Sequence, residues 1–256
     1  MIDTHTHIYF EDYYSDIDKT IKNALDSNVL KMIVVGIDYN TSVKCIDLAS
    51  KYENILYPTV GYHPSDLAVF DINLLEKLLL DNISKVVAIG EIGFDFYHFD
   101  YPFEIQKEAF ISQIELSIKY DLPLIIHSRD SFDDLIKILK IYKGKIKGVV
   151  HCFNLGYAEA MQIIDCGLCL GIGGILTYNN ASLTREAISL IDINYILLET
   201  DSPFLTPSVH RSLKNEPAYV KYVLEKISQI RNIDINELET ILNKNTYRVF
   251  SKIKGE

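Results

Sequence analysis

No uninterrupted apolar run in this 256-residue chain reaches the roughly 20 residues that a membrane-spanning helix needs. A protein without a membrane span is therefore expected. Nor does the chain open with a basic segment followed by an apolar one, because Asp3, His5 and His7 come at once. No secretory signal is expected, and a cytoplasmic location is. Cysteine is sparse and unpaired in pattern. Cys45, Cys152, Cys166 and Cys169 form no disulfide framework, and the close pair Cys166 and Cys169 lacks the second pair or nearby histidine of a zinc site. Buried free thiols in a reducing compartment fit this usage. Positive charge is also short: 25 Lys and Arg face 35 Asp and Glu, a net charge of −10. That balance argues against nonspecific coating of a nucleic acid duplex. It leaves room for an enzyme that grips one phosphate through metal ions, since bound cations reverse the local sign. Linkers, low-complexity stretches and composition shifts are missing as well, so one domain over residues 1–256 is expected.

What is present is a substantial apolar fraction, 48% of residues, arranged in a repeating order. Strand-like runs rich in β-branched residues alternate with amphipathic segments of helix length. Strands are expected at Ile2–Thr4, Met32–Ile37, Ile55–Gly61, Lys85–Glu91, Leu124–His127, Gly148–Cys152, Leu168–Ile172 and Tyr195–Glu199. Helices are expected at Ile17–Ser27, Ser42–Lys51, Asn73–Leu80, Phe103–Tyr120, Ser131–Lys140, Tyr157–Cys166 and Leu183–Ile191. Two more, Pro217–Arg231 and Ile235–Phe250, close the chain. Ser131 is a candidate N-cap, with Asp134 at the third helical position. Eight strand–helix units with strands buried on both faces predict an α/β fold, a closed parallel (β/α)8 TIM barrel with an extra C-terminal helix. Two connections, Glu91–Pro102 and Thr200–Pro217, are long for this fold, and long irregular connections are usually functional.

Enzymes built on such barrels place their chemistry at the C-terminal ends of the strands. His5 and His7 stand two apart on the first strand, so both imidazoles point to one face. Other expected strands end at His63, Glu91, His127, His151 and Glu199-Thr200-Asp201. Of the seven histidines only His98 and His210 lie elsewhere, both in the long loops of the same face.

His5, His7, Glu91, His127, His151 and Asp201 offer four imidazoles and two carboxylates. That is too many donors for one four-coordinate ion and suits two divalent ions sharing a carboxylate. Glu91 is the natural bridge, joining His5, His7 and Asp201 at one ion to His127 and His151 at the other. Nitrogen and oxygen donors without thiolate favour zinc or manganese, with magnesium open where water fills the sphere. Cys152 follows His151 on the strand and should face the opposite side. Asp201 and Glu199 are candidate catalytic groups, Asp201 for taking a proton from the attacking water and Glu199 for orienting that water or a ligand histidine. His63 either contacts the leaving oxygen or shapes the turn before Pro64. Arg129 and Arg211 are candidate phosphate contacts, the alternative being ion pairs with Asp130 or Glu216. Tyr97, with His98 beside it, is a candidate stacking surface for an unpaired base.

Read together, these motifs resemble the TatD-type deoxyribonuclease family, metal-dependent hydrolases of the amidohydrolase-like superfamily. They run in order along nearly the whole chain: Asp3-Thr4-His5-Thr6-His7, Gly61-Tyr62-His63-Pro64, Gly90-Glu91-Ile92-Gly93-Phe94-Asp95 and Ile126-His127-Ser128-Arg129-Asp130. Val150-His151-Cys152-Phe153, Gly171-Ile172-Gly173-Gly174, Leu198-Glu199-Thr200-Asp201-Ser202-Pro203 and Asn215-Glu216-Pro217 complete them. The resemblance implies a two-metal site on the six residues above, with His63 and Glu199 near the reaction. It also implies hydrolysis of DNA phosphodiesters, as a 3′-to-5′ exonuclease on single-stranded ends. The chain departs from the family pattern at Asn154-Leu155-Gly156, where Ser-Gly is usual, and at Arg211-Ser212-Leu213-Lys214, where Arg-Gly-Lys-Arg is usual. The alternative is a hydrolase of the same barrel acting on a D-aminoacyl-tRNA ester or a cyclic amide. Relatives that cleave amides often bridge their metals with a modified lysine on the fourth strand. Glu91 stands in that place, which favours the nuclease.

Overall fold

The computed structural model describes residues 1–11, 14–98 and 100–253. Strands and helices alternate in the expected order. The first half contains β1 (Ile2–Thr6), α1 (Ile17–Asp26), β2 (Lys31–Val34), α2 (Tyr39–Lys51), β3 (Leu56–Val60), α3 (Ile72–Asp81), β4 (Ala88–Asp95) and α4 (Phe103–Lys119). The second contains β5 (Leu124–Arg129), α5 (Phe132–Ile141), β6 (Gly148–Val150), α6 (Tyr157–Asp165), β7 (Cys169–Ile172), α7 (Ser182–Leu190) and β8 (Ile196–Leu198), with α8 (Val220–Arg231) and α9 (Ile235–Val249) last. The eight strands pair in chain order, every described ladder being parallel. The ring closes through the segment after β8 rather than through a long β1–β8 ladder. Thr6 bridges Ser202, the His7 amide donates to the Ser202 carbonyl at 2.8 Å, and the Asp201 amide donates to the His5 carbonyl at 2.9 Å. This is the (β/α)8 barrel, and α9 is its additional C-terminal helix. Among the described residues no helix is long and apolar enough to cross a membrane.

Local chemistry sets the element ends. Aspartates cap four helices, since a short carboxylate reaches the free amides of the first turn. Asp16, Asp71 and Asp234 cap α1, α3 and α9. Asp38 and Thr41 form a reciprocal capping box that starts α2 at Tyr39, three residues before the expected Ser42. Ser131 does precede α5, but its hydroxyl donates to the Phe94 carbonyl instead of capping the helix. β4 continues four residues past the expected Glu91. Gly93, Phe94 and Asp95 pair in register with His127, Ser128 and Arg129 of a likewise extended β5. Gly93 makes this approach feasible: a Cβ there would lie 2.0 Å from the His127 carbonyl oxygen, and its φ of +143° favours glycine.

Apolar side chains form two layers. Between strands and helices lies a large outer core that includes Met32, Leu75, Ile89, Phe110, Leu139 and Ile188. A second, smaller cluster takes residues such as Ile33, Tyr57, Ile125, Val149, Cys169 and Leu197 from successive strands, and Val249, Phe250 and Ile253 pack against it. The end of α9 thus plugs the barrel floor, and Lys252 fastens it by donating to the carbonyls of Ile83 and Val86. With the floor filled, the open mouth is left to polar residues. Cys45, Cys166 and Cys169 are buried free thiols.

Candidate metal centre and active-site cavity

β1 sends His5 and His7 to the same face, and their Nε2 atoms lie 3.1 Å apart. His7 Nδ1 faces the Val35 carbonyl at 3.0 Å, a contact it makes as an N–H donor, which leaves the Nε2 lone pair aimed inward. Burial and the neighbouring His5 push the pKa of His7 down to about 3, so the ring is neutral at physiological pH. Burial lowers that of His5 too.

Glu91 lies at the centre. Its Oε2 is 3.3 Å from His5 Nε2 and 3.5 Å from His7 Nε2. Its Oε1 is 2.9 Å from His127 Nδ1 and 2.7 Å from His151 Nε2. Burial opposes its charge, but the surrounding imidazoles of His151, His5, His63 and His127 outweigh that and hold its pKa well below the usual range. The backbone around it is tied on both sides: its amide donates to the Gly36 carbonyl, and Thr59 donates to the Gly90 carbonyl. Asp201 Oδ1 lies 3.7 Å from both His5 Nε2 and His7 Nε2.

Two donor groups therefore share one carboxylate, His5, His7 and Asp201 on one side and His127 and His151 on the other. Facing imidazole nitrogens at 3.1 Å occur in both. Convergent, buried nitrogen and oxygen donors fit divalent cations, which such a site would hold through neutral imidazoles and ionised carboxylates.

Asp95, which the expected strand ends did not single out, is a further member. It follows Glu91 by four residues on an extended strand, so both carboxylates share a face, and that spacing was the available signal. Its Oδ2 lies 3.0 Å from His127 Nε2, and its Oδ1 accepts from the Tyr97 and His98 amides. Burial lowers the basicity of His127, but Asp95 and Glu91 more than reverse this and raise its pKa to about 9. Asp95 itself falls to about 2 despite burial, through the His127 and His98 hydrogen bonds.

Asp3 lies below His5 on the same face and is fully buried. It accepts from the Thr200 amide and hydroxyl and from the His5 amide, joining β1 to the end of β8. Burial raises its pKa to about 7, and burial likewise raises that of Asp201 to about 7. Glu199 lies behind His5 and His151, its Oε1 accepting from the Cys152 amide at 2.5 Å and lying 3.8 Å from His151 Nδ1. Burial and the Asp201 charge raise its pKa well above the usual range. Gly171 makes its place: a Cβ there would meet Glu199 Oε2 at 2.0 Å.

His7, Glu91, Asp95, His127, His151 and Asp201 open onto a cavity of about 770 Å³. His63 faces it and makes the turn contact expected of it. Its Nδ1 accepts from the Ser65 amide at 3.1 Å in the turn after Pro64, while its Nε2 points to Glu91 Oε1 at 3.7 Å. Burial and His127 lower its pKa to about 3. Cys152 does not face away as the strand pattern implied. β6 ends at Val150, Cys152 adopts a φ of +54°, and its side chain lines the cavity.

Arg129 lines the cavity, with its guanidinium 3.7 Å over the Tyr97 ring and 3.2 Å from His98 Nε2. Tyr97 lies outside the lining. So does Arg211, stacked 4.0 Å over Tyr178. Among the described residues neither arginine forms an ion pair with Asp130 or Glu216.

A family model described as TatD related DNase matches residues 2–251. The uncharacterized metal-dependent hydrolase YabD of Bacillus subtilis is 37% identical over 257 residues, covering 98% of this chain and 98% of its own. The uncharacterized metal-dependent hydrolase YjjV of Escherichia coli is 34% identical, with 98% and 97% covered. The crystal structure of YjjV, a TatD homologue, superposes with a TM-score of 0.92 at 32% identity, covering 98% of both chains. A TatD family hydrolase from Entamoeba histolytica superposes with a TM-score of 0.87 at 26% identity, covering 98% of this chain and 97% of its own.

Proposed function

The chain belongs to the TatD-related DNase family of metal-dependent hydrolases, and from that premise we propose that it hydrolyses phosphodiester bonds of DNA, acting 3′ to 5′ on single-stranded ends. The observation that carries the reading is the position of Glu91, which turns Oε1 to His127 and His151 and Oε2 to His5 and His7. A carboxylate shared in this way suits a pair of divalent cations, which these residues would hold. Divalent cations held there would supply a nucleophile at neutral pH and offset the charge on the reacting phosphate.

The chain's own groups have distinct tasks in this proposal. His5, His7 and Asp201 would hold one ion, His127 and His151 the other, and Glu91 would contribute to both. Asp95 holds the His127 ring with Nδ1 facing inward. Asp201, whose proton affinity burial raises, would take the proton of the attacking water, and Glu199, 3.8 Å from His151 Nδ1 and behind the cavity wall, would orient that ring. Because His63 Nδ1 accepts from Ser65, its proton sits on Nε2, where it can donate to the leaving oxygen. The Arg129 guanidinium suits a neighbouring phosphate.

The test is incubation of zinc- or manganese-loaded protein with 5′-labelled single-stranded DNA, and in parallel with D-aminoacylated tRNA and a cyclic amide. Stepwise shortening of DNA is expected, abolished by EDTA and by His127→Ala or Asp201→Asn. Intact DNA together with release of amino acid or ring opening would overturn the reading in favour of another bond.

A further inference from the structure

The two sides of the cavity differ in kind. Arg129 and His98 lie towards β4 and β5, whereas Phe10, Phe204, Leu205 and Ile175 line the side formed by the loops after β1, β7 and β8. We propose that Phe204, backed by Phe10, is a stacking subsite for a nucleobase of the substrate. This inference rests on the nuclease reading above and adds the place where the base lies.

An aromatic path leads from the metal centre to the cavity rim. The Phe10 ring stacks on His7 at 5.3 Å between centroids, 20° from parallel. Phe204 lies 6.2 Å from Phe10 and 6.4 Å from His7, with 42% of its surface exposed. A base seated on Phe204 is therefore next to the ring of a candidate ligand, within the reach of one nucleotide from a phosphate held there.

The backbone carrying Phe204 is anchored. Its amide donates to the Asp201 carbonyl at 2.9 Å. The buried Asn215 side chain donates to the carbonyls of Phe204 at 2.6 Å and Thr200 at 2.9 Å. The turn that delivers Asp201 to the metal centre thus also presents the Phe204 ring, so the two are placed together. Such support is what a preorganised binding group requires.

The chemistry of the cavity points the same way. With Glu91, Asp95, Asp201 and Asp66 around it, a nucleic acid entering the cavity meets many carboxylates. Stacking on an uncharged ring gains affinity without depending on that charge balance, and it tolerates any base. Tyr97 is placed less well, because it lies outside the cavity lining.

The experiment uses metal-loaded protein and single strands that are either intact or carry an abasic residue at the 3′ end. Wild-type protein should show a KM about 10-fold higher for the abasic strand, and Phe204→Ala a ratio near 1. Phe204→Leu, which keeps apolar bulk without the π face, should behave like Phe204→Ala, and Phe204→Tyr should restore the ratio. As a readout independent of turnover, rapid mixing with a strand bearing 3′-terminal 2-aminopurine should give fluorescence quenching with wild type and none with Phe204→Ala or Phe204→Leu. DNA cleavage by wild type with the quench and KM ratio both retained in Phe204→Ala would overturn the subsite alone. A wild-type protein that neither binds nor cuts DNA would overturn the nuclease reading and the subsite with it.

Discussion

Asp95 Oδ2 lies 3.0 Å from Nε2 of His127, on the side of the ring away from Glu91. The imidazole is held between two carboxylates, one at the candidate metal centre and one behind it. An outer carboxylate of this kind orients a ligand histidine and raises its basicity. Asp95→Asn should therefore weaken zinc binding by about 10- to 100-fold with the barrel intact. Competition against a chromophoric chelator, with circular dichroism as the fold control, measures both. Unchanged affinity would separate Asp95 from the metal centre.

Metal uptake should release protons. His127 at about 9 and Asp201 at about 7 hold protons near neutral pH that a cation must displace. His7, at about 3, has none to lose. Because protons are products of binding, apparent affinity should rise as pH increases from about 6 to 9. Calorimetry in buffers of different ionisation enthalpy reads the number released. Asp95→Asn should reduce it at pH 8, since its charge helps hold the His127 proton.

A different pH dependence belongs to the fold itself. Asp3 is raised from 3.8 to about 7 on folding, so the folded state binds its proton more tightly than the unfolded chain does. Its contribution is fully present below about pH 4 and lost as pH rises towards 7. Asparagine mimics the neutral form. Measured on EDTA-treated protein, the Tm of Asp3→Asn should gain on wild type by several degrees between pH 4 and pH 8. A constant difference across that range would place no titration at Asp3.

Gly171→Ala puts a methyl group 2.0 Å from Glu199 Oε2 and 3.0 Å from His151 Cα. The side chain of Glu199 must move, because the backbone on the other side is part of the barrel wall. A loss of about 1–3 kcal/mol is expected in denaturant unfolding. Turnover should fall more steeply than stability, and Gly171→Ala with wild-type kcat would argue against a role for Glu199.

Phe250 tests the floor of the barrel apart from its mouth. Its ring is fully buried in the inner apolar cluster. Phe250→Ala should cost about 3–5 kcal/mol, read as a lower denaturant midpoint. Zinc affinity of the folded protein should stay within a few-fold of wild type. A large loss of affinity would couple floor and mouth.

The order of elements was legible because alternation between strand and helix patterns is a local property, repeated eight times. His5, His7, Glu91, His127, His151 and Asp201 could be read as one group because strand ends of a parallel barrel share a face. Boundaries were less legible. β4 runs on through Gly93, which only its pairing with β5 explains. Asp95 was within reach of the same spacing argument that linked His5 to His7, had the strand been given its full length.

By itself, then, the chain determined donor types, their order and the turns that cap its helices, since each depends on residues near one another in sequence. Tertiary structure decided which atoms face which. Alternation of side chains holds only within a strand, and Cys152, with its left-handed backbone just past β6, turns into the cavity that the pattern directed it away from. Closure of the ring likewise set Asp3 against Thr200 and Phe204 beside His7, and distance along the chain carries no trace of such pairings. The physical reason is that direction depends on backbone dihedrals and on partners brought in from remote segments, neither of which residue type alone specifies.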